Sequence, residues 1–150
     1  MKILSGFLLC LMLTVQCAAQ VPALEELQRR ADAATGMDCV HLSMEMSRKS
    51  LEEANRLFGT GESKSAHAAV DVSVRYARRS VDCSLESGKS EKSEEIDLRK
   101  LIRRMKDVSQ TLDSEDRSHV GRSLLELEKL RDTLLHSMFG AALGGPEKKQ

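Results

Sequence analysis

Two cysteines stand at equal distances on either side of a glycine turn, and this symmetry constrains the fold more than any other feature. Gly61, in the sequence GTG, lies midway between Cys39 and Cys83. If both flanking segments are helices and the chain reverses at the glycines, the cysteines come level about 33 Å from the turn, at about 1.5 Å per residue. The spacing predicts an α-hairpin closed by a structural Cys39–Cys83 disulfide; the alternative is a pair of buried thiols.

The segments on both sides of this turn have the apolar spacing of helices. The first, about residues 38–58, places a single apolar stripe on one face, and Asp38 suits its first turn; the stripe is Val40, Met44, Ser47, Leu51, Ala54 and Phe58. The second, about residues 62–85, is apolar over a wider arc that includes Ser73 and Ser80. Such a helix is expected to contact two neighbours, and its small residues permit close helix approach.

The rest of the chain also has helical periodicity. A short helix begins near Pro22 and ends at Gly36, a good C-cap residue. Residues 86–95 have the composition of a linker, and two further helices follow, with Asp113 or Ser114 capping the second. The predicted fold is all-α: an up-and-down bundle of two long antiparallel hairpins, about 38–86 and 95–139, plus the short N-terminal helix. The predicted domain is 20–140, with a flexible tail over 141–150.

The first 19 residues have the organisation of a signal peptide. Lys2 precedes an apolar run, and Cys17 and Ala19 occupy the −3 and −1 positions that a signal peptidase reads. The run is shorter than the roughly 20 residues that a membrane-spanning helix needs. A lipid anchor on Cys17 is disfavoured because Gln16 stands where a small residue is expected. We expect cleavage after Ala19, no stable membrane span afterwards, and a periplasmic or secreted protein.

Composition argues against nucleic acid as a partner. The whole chain has 23 basic and 23 acidic residues, and removing residues 1–19 takes away Lys2 and no acid, leaving one net negative charge. Nucleic-acid-binding domains usually carry a basic excess. Aromatic residues, which form base-stacking surfaces, are only 3% of the chain, and tryptophan is absent.

Basic side chains cluster on the polar faces of two predicted helices. The residues are Arg75, Arg78, Arg79, Arg99, Lys100, Arg103, Arg104 and Lys106. One interpretation is a surface for an anionic partner, either an acidic protein or an anionic envelope component. The other is a solvated face whose charges pair with nearby acids. The sequences EKSEEID and LELEK supply such acids.

Candidate cofactor sites are few, and no catalytic group can be assigned. Met37, His41 and Met44 share a helix face and could bind a soft metal such as copper, although methionine is also ordinary core filler. Met44 and His136 are a possible haem ligand pair without an attachment motif. No histidine has nucleophile-elbow or zinc-site spacing. We therefore expect no cofactor and a non-enzymatic structural or interaction role; the alternative is a soft-metal or haem-binding bundle.

The segment LEEANRLFGTGESKSAHAAVDVSVRYARRSV, residues 51–81, resembles one tetratricopeptide-type helical hairpin. The likeness is carried by Ala54, Phe58, Gly61, Ala66 and Ala69. It occurs once, without a second copy at that family's period of about 34 residues. The resemblance implies two helices joined at the GTG turn. The chain as a whole is similar in style to small exported helical-bundle proteins of bacteria.

Overall fold

The computed structural model describes residues 20–143, and this part of the chain is all-helical, as predicted. Its five helices are α1 Gln20–Ala33, α2 Gly36–Gly59, α3 Ser63–Ser87, α4 Glu91–Gln110 and α5 Ser114–Leu143. Their arrangement is compatible with a helical bundle. None of the described helices is long and apolar enough to cross a membrane. The predicted signal peptide and residues 144–150 of the predicted tail lie outside the described residues.

Helices α2 and α3 form the hairpin that the cysteine spacing predicts. Gly61 adopts a left-handed backbone, with φ of 79°, and the N–H of Glu62 donates to the Leu57 carbonyl across the turn at 2.9 Å. Cys39 and Cys83 are joined by a disulfide at the opposite end, with their Cα atoms 6.1 Å apart. The prediction of this bond is confirmed.

Small hydroxyl side chains occupy the buried surface of α2 and α3. They are Ser43, Ser47, Ser50, Ser73, Ser80 and Ser84. The hydroxyl of Ser47 donates to the Ser73 carbonyl at 2.8 Å, and that of Ser80 donates to the Val40 carbonyl at 2.7 Å. Side chains this short let the backbones approach closely, and these two hydrogen bonds satisfy buried hydroxyl groups, whereas the Ser50 hydroxyl has no partner among the described residues. The predicted close approach at Ser73 and Ser80 is confirmed.

Helix α3 contacts α2, α4 and α5, and α2 contacts α1, α3 and α4, so these two helices are the central elements. The apolar arc of α3 meets the leucine-rich faces of α4 and α5 in the main core, which includes Val70, Ala77, Leu98, Leu101, Met105, Leu127 and Leu134. The two hairpins lie side by side, with α4 next to and parallel to α2 and α5 next to and parallel to α3. Arg104 on α4 reaches Glu52 on α2, and Arg78 on α3 reaches Glu126 on α5.

Helix α1 covers the opposite side of the α2–α3 hairpin. A second, smaller core of Ala31, Met46 and Tyr76 lies between them. The Tyr76 hydroxyl donates to Asp32 at 2.5 Å, which ties α1 to α3. Burial, together with the Asp32 carboxylate, raises the pKa of Tyr76 to about 12, so this phenol keeps its proton and remains a donor.

Three predicted boundaries are wrong. The linker is shorter than residues 86–95: α4 begins at Glu91, because Glu91 and Glu94 favour the positive end of the helix dipole. Helix α5 continues past Phe139 to Leu143, since a single glycine at position 140 does not end a helix. Gly36 is the first residue of α2, with φ of 57°, rather than the cap of α1.

Candidate functional site

A basic groove runs between α4 and α5, and we define it by four cationic side chains. Arg99, Arg103 and Lys106 project from one face of α4, at helical steps of four and three residues, and Arg131 projects from α5. The groove has a volume of about 360 Å³. Its remaining lining residues are Ile102, Asp107, Gln110 and Glu128.

A buried carboxylate beneath this basic groove fixes two of its arginines. Glu95, in the first turn and a half of α4, is only 7% exposed. One of its oxygens accepts from Nε of Arg131 at 2.8 Å, and the other accepts from a terminal nitrogen of Arg99 at 3.1 Å. Since a buried charge must be paired, this contact anchors both guanidinium groups at the same end of the groove.

The other two cations of the basic groove, Lys106 and Arg103, differ in whether a carboxylate pairs with them. Lys106 Nζ lies 2.8 Å from Glu128 across the groove. Arg103 has no ion-pair or hydrogen-bond partner among the described residues. Asp107 lies one turn further along α4 and is also unpaired within the described chain. With Glu95 included, four cations face three carboxylates, so the groove carries one excess positive charge and one uncommitted guanidinium.

The remaining predicted basic residues of α4 face a different neighbour. Lys100 pairs with Asp97 on its own helix at 3.1 Å, and Arg104 lies 3.5 Å from Glu52 of α2. These charges are therefore compensated on the α2 side of α4. The structure divides the basic run of α4 between the basic groove and the α2 side of the helix.

The arginines of α3 occupy a third surface, beside α1 and the disulfide. Arg78 pairs with Glu126 at 2.9 Å, and Arg79 donates to the carbonyls of Asp32 and Ala34. Arg75 lies over the ring of Tyr76, 5.2 Å from its centroid. The cavity here, about 510 Å³, is lined by three arginines and by Asp32, Asp82 and Glu86, so its charges balance.

The candidate metal and haem ligands lie in different surroundings. Met44 is buried in the main core, whereas His41 is exposed. Met37 accepts a hydrogen bond from Ser90. His136 is exposed on α5, a helix that does not contact α2. Across residues 20–143, no cluster of three histidine, cysteine or acidic side chains is arranged to hold a metal ion.

Two histidines near helix starts are brought together, which the sequence did not predict. The rings of His67 and His119 stack 4.1 Å apart. His119 pairs with Asp71 at 2.9 Å, and His67 lies 2.8 Å from Asp116 without the alignment of a hydrogen bond. Ser63 donates to the other oxygen of Asp116. These contacts join α3 to α5, so we assign the pair a structural role.

Sequence reasoning also missed Glu95 and Arg131. Arg131 lies outside the basic runs, and Glu95 fell in the segment interpreted as a linker. The signal that could have found them is an acid at the start of one helix and a cation in the second half of the next, which become neighbours in an antiparallel pair. Neither a protein-family model, nor a curated protein, nor a solved structure matches this chain.

Proposed function

We propose that this is an exported, non-enzymatic binding protein that uses the basic groove between α4 and α5 to hold an anionic partner. The single observation that supports this most is Arg103, an exposed guanidinium without a partner among the described residues, at the centre of four cations. Each of the other cations on the predicted basic faces of α3 and α4 already contacts at least one carboxylate, carbonyl or ring.

Electrostatics favours this basic groove over the other two basic surfaces. An incoming anion at the α3 cavity would meet three acids for three arginines. On the α2 side of α4, it would have to displace Asp97 and Glu52. In the groove it meets one free guanidinium and an excess of positive charge, which strengthens association with anions at low ionic strength.

Export is the second part of the proposal. The apolar run and small residues of the first 19 positions support it. The Cys39–Cys83 disulfide also supports it, because such bonds form and persist mainly in oxidising compartments. We propose a periplasmic or secreted location, and a partner that is an acidic protein or an anionic component of the envelope.

The test is binding of a soluble polyanion, dextran sulfate, by two variants that lose the same charge from the same helix. Arg103→Gln with Lys106→Gln should weaken binding about tenfold, at roughly 0.7 kcal/mol per exposed charge. Lys100→Gln with Arg104→Gln is the matched control and should change the affinity less than about twofold. Equal losses in the two variants, or no binding by the wild-type protein, would contradict the proposal.

A further inference from the structure

We propose that the basic groove binds a phosphate monoester group, and that Glu95 is the residue that positions Arg99 and Arg131 for it. This inference rests on the proposed function and names its ligand chemistry. It starts from the paired arginines at one end of the groove. Their guanidinium groups come from different helices and are held together through the two oxygens of one carboxylate.

Glu95 leaves most of the donors on these arginines free. It uses Nε of Arg131, so both terminal nitrogens of that residue remain available, and it uses one terminal nitrogen of Arg99. No other bond to these groups is present in the described part of the chain. The side chains of Arg99 and Arg131 are 59% and 37% exposed, whereas that of Glu95 is 9% exposed. The free donors therefore belong to exposed side chains that a buried carboxylate holds in place.

A phosphate monoester fits this arrangement better than a carboxylate does. It presents three acceptor oxygens and up to two negative charges, and it suits a cluster of arginines. A carboxylate presents two oxygens and one charge, which a single guanidinium can satisfy. Arg99 and Arg131 supply two forks, and Arg103 follows Arg99 by one helical turn. Three guanidinium groups along one groove match the larger and more highly charged group.

The first measurement compares two sugars that differ in the charged group. Glucose 6-phosphate and glucuronate are titrated into the full exported chain at low ionic strength and pH 7.5, where the phosphate is mostly dianionic. We expect glucose 6-phosphate to bind about tenfold more tightly, the equivalent of one additional charge-assisted hydrogen bond. Equal affinity for both sugars overturns this inference. Loss of dextran sulfate binding instead overturns the proposed function, so the two failures are distinguishable.

Two variants with the same change in charge test the role of Glu95. Glu95→Gln and Asp107→Asn each add one positive charge to the groove. If charge alone decides, both tighten binding of glucose 6-phosphate. If Glu95 positions the arginines, Glu95→Gln weakens it about tenfold while Asp107→Asn tightens it. Because Glu95 is buried, circular dichroism must first show that the variant is folded; if it is not, Arg131→Gln, which leaves Arg99 paired, must weaken binding instead.

A final comparison distinguishes the two sources of a phosphate monoester. Vesicles of phosphatidylcholine are prepared with phosphatidic acid, which has a terminal phosphate, or with an equal charge of phosphatidylserine. Binding to the first and not the second, abolished by Arg99→Gln with Arg131→Gln, assigns the ligand to lipid. If the protein binds glucose 6-phosphate but neither kind of vesicle, the ligand is a soluble phosphate ester. Equal binding to both vesicles, unchanged in that variant, overturns the inference.

Discussion

The two hairpins of this protein bury very different surfaces. Between α2 and α3 the buried residues include six serines, and two of these hydroxyls bond to carbonyls of the opposite helix. Between α4 and α5 the buried residues are mainly leucine, isoleucine and methionine, and ion pairs lie at the rim. One hairpin is closed by a disulfide, while the other is not cross-linked within the described chain.

This difference shows how each hairpin is stabilised. Burying a leucine contributes about 2 kcal/mol, whereas a buried serine contributes little beyond the hydrogen bond it makes. The α2–α3 pair therefore gains close approach and specific hydrogen bonds at these serines, in addition to the apolar burial of side chains such as Leu51, Val70 and Val81. Its disulfide also removes conformational freedom from the unfolded chain. The α4–α5 pair is stabilised mainly by burial of its leucines, without a cross-link among the described residues.

The largest expected effect comes from removing the disulfide of the α2–α3 hairpin. Replacing Cys39 and Cys83 together by alanine should lower the free energy of unfolding by about 4 kcal/mol, from the entropy of the closed loop. For a domain of this size the midpoint of thermal unfolding should fall by roughly 15 °C. Calorimetry of the oxidised, reduced and double-alanine proteins measures this. If the reduced wild-type protein melts with the oxidised one, the disulfide does not stabilise the hairpin.

Two leucines of α5, one buried and one exposed, test how the α4–α5 hairpin is stabilised. Leu127 is fully buried in the core, whereas Leu125, two residues earlier, is 59% exposed. Leu127→Ala should cost about 3 kcal/mol through lost burial and a residual cavity, and Leu125→Ala less than about 0.5 kcal/mol. Urea unfolding of the two variants, with equal slopes, gives both values. A small loss for Leu127→Ala would mean that the α4–α5 interface relaxes around the gap, contrary to its assigned role.

The sequence predicts the first hairpin better than it predicts the binding groove, for a physical reason. Helix type, the turn at Gly61 and the disulfide depend on local spacing and on symmetry about one point, so they are readable along the chain. Glu95 and Arg131 meet only because α4 and α5 are antiparallel with a particular offset. That offset depends on side-chain packing between distant segments, as does the stacking of His67 on His119. Periodicity identifies which face is apolar but not which residues of two helices become neighbours.

The two hairpins meet at a buried acid, Glu94, which is 2% exposed at the start of α4. One of its carboxyl oxygens has no hydrogen-bond partner among the described residues. Burial raises the pKa of Glu94 to about 7; the Ser80 hydroxyl lowers it, the nearby Asp97 raises it further and Arg48 lowers it. Its protonation is therefore a probe of the boundary between the serine-lined and the leucine-lined hairpin.

The smallest expected effect is a dependence of stability on pH that Glu94 introduces. Between pH 4.5 and pH 7 the folded protein holds this proton while the unfolded chain releases it, so the contribution of Glu94 to stability is greatest at low pH and falls as pH rises through this range. From pH 5 to pH 8 the loss from this group is about 2.5 kcal/mol. Glu94→Gln removes the titration, so the variant should exceed the wild-type protein in stability by about 1 kcal/mol at pH 5 and by about 3 kcal/mol at pH 8. Urea unfolding of both proteins across this pH range gives the difference in their free energies of unfolding, from which the titrations of all other groups cancel. If this difference does not change with pH, Glu94 is hydrated and water penetrates the boundary between the hairpins.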